Sequence, residues 1–125
     1  MILGAQALRC HDTTAAIDIL AGALRYEAGG DVSFYPAYLR GLAHLAAKDG
    51  RAAAQEFQKI TDHSGVMVYE VIGPLAELGR ARALTLSGDL AKAKTAYQNF
   101  LAIWRDADAD IPILKEARSE YARLP

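Results

Sequence analysis

Apolar residues recur along this chain at helical spacing. Ala16, Leu20, Ala23 and Leu24 share one helix face, and Ala53, Phe57 and Ile60 repeat the pattern at i, i+4 and i+7. Leu90, Ala93, Tyr97, Phe100, Leu101 and Trp104 make a longer stripe, and Leu114, Ala117, Tyr121 and Leu124 make the last. Breaks at Asp12-Thr13, Ala28-Gly29-Gly30-Asp31, Asp49-Gly50, His63-Ser64-Gly65, Gly73-Pro74, Ser87-Gly88-Asp89 and Asp106 to Asp110 leave helix-sized pieces between them. Asp12 or Thr13 is expected to cap a helix over Thr14 to Tyr26, and Asp110 to cap one that starts at Ile111-Pro112. Pro36 and Pro74 suit first turns, where a missing N–H costs nothing. Val66 to Ile72 is β-branched and apolar, which fits an extended linker or early helical turns equally.

Composition sharpens this to an all-α class. The 25 Ala and 15 Leu outnumber 8 Ile, 4 Val and 5 Thr. A length of 125 residues is one ordinary domain or a short array of repeats. The net charge of −1 removes the electrostatic case for nucleic acid or an anionic membrane surface as partner. No apolar run reaches the 18 or so residues of a span, and no basic-then-apolar leader opens the chain. We therefore expect no membrane insertion by this segment and a cytoplasmic location. The single cysteine, Cys10, excludes an internal disulfide framework.

The stripes also repeat. Ala93, Tyr97 and Phe100 follow Ala53, Phe57 and Ile60 at one constant offset, and Ala16, Leu20 and Ala23 precede them at a slightly shorter one. Twelve residues ahead of each leading alanine stand Gly4, Gly41 and Ala81, all small. Each unit thus reads helix, short turn, helix, with small residues where axes approach to roughly 8–10 Å. Such a unit buries its apolar faces only by stacking.

On these residues the chain resembles the tetratricopeptide repeat (TPR), whose period is about 34 residues. Gly41, Ala53 and Phe57 match its glycine, alanine and aromatic positions in one copy, and Ala81, Ala93 and Tyr97 match in the next. The family's early aromatic instead falls at Ala37 and Glu77, its Tyr at His44 and Leu84, and its closing Pro at Gly65 and Arg105. Pro36 to Gly65 and Gly88 to Leu124 further resemble the carboxyl-terminal TPR region of large bacterial serine/threonine protein kinases and related regulators. The resemblance implies a right-handed superhelix of antiparallel hairpins: a partial first repeat over 1–27, a second over 34–62, a third over 74–105, and a capping helix over 111–124. Gly4 so soon after Met1 would truncate the first helix, so a fragment of a longer signalling protein is expected.

Candidate chemistry is sparse. Neighbouring Cys10 and His11 diverge on a helix and lack an orienting acid. His11, His44 and His63 form no metal-binding spacing; His44 is expected at a helix interface and His63 at a helix end. Asp106, Asp108 and Asp110 alternate, but Ile111 and Ala117 stand where a calcium loop needs Gly and Glu. Gly29-Gly30 lacks the GKT or GKS of a phosphate loop, and no kinase motif is present. We expect no catalytic residues, no metal and no cofactor.

The resemblance instead implies a concave groove lined by the first helix of each hairpin, at Tyr35, Tyr38, Leu42 and Leu45 and at Leu75, Leu78, Arg82 and Thr85. The apolar members fit helix-to-helix core equally well. Tyr38 and Leu42 stand where carboxylate-clamping TPR modules carry Lys and Asn, so an apolar or aromatic segment suits this groove better. The expected role is docking of a protein or peptide segment, with self-association through exposed repeat ends a further possibility. The alternative is a small-molecule sensor with Tyr35 and Tyr38 walling an apolar pocket.

Overall fold

A computed structural model describes residues 35–63, 72–107 and 110–125 of the chain. The expectations for the first repeat, for Cys10 and His11, for Val66 to Val71 and for Asp108 lie outside the described residues. Among the described residues there are five α-helices and no strand: α1 (Tyr35–Ala46), α2 (Gly50–Thr61), α3 (Ile72–Ser87), α4 (Leu90–Ile103) and α5 (Pro112–Ala122). They pack sequentially as adjacent antiparallel pairs, and α1 also touches α3. Pro36 and Pro74 both fall in first turns, and Ile72 opens α3.

The two hairpin turns are built alike. After α1, Lys48 adopts the left-handed conformation at φ 65°. Its N–H donates to the Leu45 carbonyl at 3.0 Å, and the Asp49 N–H donates to His44 at 2.9 Å. This is a Schellman closure, in which a left-handed residue turns the chain while satisfying carbonyls at the helix end. Asp49 then caps α2, its carboxylate accepting from the Ala52 N–H at 3.1 Å. After α3, Gly88 takes the left-handed place at φ 90°. Gly88 and Asp89 donate to Thr85 and Leu84, and Asp89 accepts from the Lys92 N–H at 3.3 Å. Every member of this second turn stands at one common offset from its counterpart in the first.

The start of α5 corrects one expectation. Ile111, not Asp110, is the N-cap; it is extended at φ −62° and ψ 123° and makes no side-chain cap bond. Pro112 explains the change, because it holds the preceding residue extended and contributes no N–H that needs an acceptor. Asp110 stays exposed, 3.6 Å from Lys115.

The repeating residues of the two middle stripes are core, while Leu90, Leu101 and Trp104 of the longer one are half-buried. Ala53, Phe57, Ile60, Ala93, Tyr97 and Phe100 are all buried. The Phe57 ring fills a slot between Gly41 of α1 and Gly79 of α3; a methyl group added at either glycine would lie 2.6 Å from it. At the same helix, a methyl on Gly50 would lie 2.6 Å from the Ala83 carbonyl. Close packing of α2 against both neighbours therefore requires hydrogen where other residues carry Cβ. In the second unit Tyr97 shares a buried cluster with Ala81, the counterpart of Gly41, and with Ala117 of α5. Leu114 of α5 completes that cluster, with Tyr121 and Leu124 half-buried beside it. Each fully buried large side chain here stabilises the fold by roughly 1.5–3 kcal/mol.

Candidate interaction surface

The predicted groove residues divide into core, half-buried and ion-paired positions. Tyr35 opens α1, and its side chain lies outside the described residues. Tyr38 is half-buried and meets the Phe57 ring edge-on, with centroids 5.9 Å apart. Leu42 and Leu45, one and two turns on, are half-buried against the same cluster. On α3, Leu75 is half-buried, and Thr85 turns its hydroxyl back to the Ala81 carbonyl at 2.9 Å. Leu78 is only 1% exposed and packs in the cluster that Leu114 and Ala117 close. It is core, in one buried cluster with Tyr97 and Phe100 of α4 and Leu114 and Ala117 of α5.

Arg82 carries the largest surprise. Its Nε donates to both Glu120 oxygens, at 3.0 and 3.1 Å, and its Nη2 donates to Glu120 at 2.9 Å and to Glu116 at 3.4 Å. The Tyr97 hydroxyl donates to the same Glu120 carboxylate at 2.8 Å. Burial and the adjoining Glu120 push the Tyr97 phenol well above its ordinary range. Fork geometry on one carboxylate is the strong form of charge-assisted bonding, so Arg82 joins α3 to α5. Glu116 and Glu120 have no place in the expectations from sequence. Their spacing of four on the last helix is visible, but nothing linear ties them to Arg82, 34 and 38 residues away.

A second charged group lies between α1 and α2. Arg40, 2% exposed, donates to Glu56 at 3.0 Å, and Lys59 donates to the same oxygen at 3.0 Å. Burial alone would raise the Glu56 carboxyl, yet the bonds from Arg40 and Lys59 outweigh it and hold it below its ordinary value. Glu77 is buried and accepts from Arg80 at 3.1 Å and Asn99 at 3.3 Å.

His44 is half-buried on α1, and the His63 ring nitrogen Nδ1 lies 2.7 Å from the Lys59 carbonyl at the end of α2, the expected helix-end position. Among the described residues no three His, Cys, Asp or Glu side chains gather as a metal site. No described helix is long and apolar enough to cross a membrane. An open cleft of about 480 Å³ runs along the outer stripe of α2 to the turn between α3 and α4, and none of the predicted groove residues lines it. No family model matches the chain, and no curated protein or solved structure matches it significantly.

Proposed function

We propose that this chain is a non-catalytic, TPR-like interaction module, a right-handed stack of helical hairpins that docks a protein or peptide segment. It would serve as the docking or sensory part of a larger bacterial signalling protein, such as a serine/threonine kinase, in the cytoplasm. The observation that carries this reading is a recurrence in three dimensions. The left-handed turn residue, the aspartate cap and the buried aromatic wedge all return at the same offset. Repetition of that kind is how stacked-hairpin proteins build extended surfaces for partners.

Tyr38, Leu42, Leu45 and Leu75 are half-buried and offer apolar area on the first helices of the two described hairpins. Affinity capture followed by calorimetry with the identified segment tests the docking role. Leu45→Ala should weaken binding about fivefold or more, as truncation of an interface anchor does, while Lys94→Ala on the exposed face of α4 should not. Undiminished binding by Leu45→Ala and Leu42→Ala would move the site off these helices.

A further inference from the structure

The cleft along α2 lies apart from the groove residues, and its two ends differ. One wall is the outer stripe of α2, with Arg51, Ala54, Gln55 and Gln58; the other is Leu84 with Lys92 at the start of α4. The volume of about 480 Å³ lies in the range of small-ligand and peptide pockets. Arg51 and Gln55 are exposed and line the cleft, and neither side chain forms a hydrogen bond or ion pair with another described residue. Among the described residues Lys92 is paired with Asp89 alone, at 3.4 Å and 69% exposure, a geometry that holds the ammonium weakly.

The acidic groups of the cleft are already engaged. Asp89 caps α4, and Asp62 accepts from Gln58 at 2.6 Å. At the Arg51 end, α2 and α4 both begin, but their N-termini are already occupied by the Asp49 and Asp89 carboxylates, so attraction for an anion there rests on the side-chain cations. The lining carries three cations, Arg51, Lys59 and Lys92, against two carboxylates, Asp62 and Asp89, over an apolar floor of Ala54 and Leu84; Lys59 is paired with Glu56 and Lys92 with Asp89, which leaves Arg51 as the cation open to a ligand.

We propose that this cleft binds an acidic peptide segment, with a carboxylate on Arg51 and Lys92, aliphatic groups over Ala54 and Leu84, and backbone amides on Gln55 and Gln58. Arg51 is the anchor, since a guanidinium takes a carboxylate bidentately. The chain's own net charge of −1 gives no general attraction for such a peptide, so binding must come from the local site.

The test is an NMR titration of the intact chain at low salt with a capped peptide of alternating leucine and glutamate. The same peptide with lysine for glutamate is the comparison. The acidic peptide should saturate shifts at the Gln55 and Gln58 side-chain amides and the Lys92 backbone amide. Arg51→Ala should weaken it about fivefold or more, and Arg51→Lys should lose less. Arg51 is exposed, so thermal midpoints should match the parent and show that any loss is not unfolding. Absence of saturable shifts, equal affinity in Arg51→Ala, or equal binding of the lysine peptide would overturn the proposal. Shifts confined to Leu42, Leu45 and Leu75 would overturn it too, while supporting the groove reading. The two sites therefore fail separately.

Discussion

The aromatic ring of Phe57 lies in contact range of Gly41 on one side and Gly79 on the other, joining three helices through one side chain. Adding a methyl at either glycine should overpack this slot. The expected cost is roughly 1–3 kcal/mol, larger than the gain of about 1 kcal/mol that alanine brings over glycine inside a helix. Gly41→Ala and Gly79→Ala should both lower the urea midpoint, and Phe57→Leu in the Gly41→Ala background should recover part of the loss. A stabilised Gly79→Ala would mean that the ring can move aside.

The paired turns give a comparison within one chain. Lys48 holds a left-handed conformation that Gly88 holds in the equivalent turn. Lys48→Gly should stabilise the protein by about 1 kcal/mol, since glycine reaches that region without strain. Gly88→Ala should destabilise it by a similar amount. Equal melting midpoints for the parent and Lys48→Gly would show that its turn relaxes away from this geometry.

The clasp on α5 makes Arg82 a stability residue. Both Arg82 and Glu120 retain about a third of their exposure, at 32% and 29%, so solvent screening moderates the pair. Arg82→Ala should cost about 1–2 kcal/mol, at or just below the low end of the range for bonds to charged groups because solvent screens the pair. A double-mutant cycle with Glu120→Gln should show coupling. Additive losses would mean that Arg82 acts alone.

Acid should loosen the α1–α2 contact through Glu56. Its folded carboxyl lies below the ordinary value of 4.5, so the unfolded chain binds the proton first as the pH falls. The stabilisation is complete above that value and is lost as pH drops through the folded pKa. Urea melts between about pH 6 and pH 3 should fall less steeply for Glu56→Gln than for the parent. Identical slopes would remove Glu56 from the acid response.

Base should act oppositely through Tyr97. Its folded phenol lies above the ordinary 10.0, so its stabilisation is present below that pH and is lost as the pH rises beyond it. Ultraviolet titration should show one tyrosine resisting ionisation until the chain unfolds, and Tyr97→Phe should remove that component.

Much of the fold was legible along the chain because its signals are local. Helix spacing, the aspartates that cap α2 and α4, and the small and aromatic positions of each unit all follow from neighbours within a turn or two. The Asp110 cap failed on a local effect too, the demand that Pro112 makes on Ile111. The candidate surface was less legible. Leu78 and Leu75 carry the same side chain one helical turn apart, yet one is sealed in the cluster that α4 and α5 build and the other is half-exposed. Likewise, the Arg82 side chain could have faced a partner; its capture by Glu120 depends on where α5 comes to rest, 38 residues along the chain. Periodicity determines which residues share a helix face, because that is set by about 3.6 residues per turn. Only the packing of one helix against another decides which faces are covered and which charges meet, because those depend on distances the linear order does not contain.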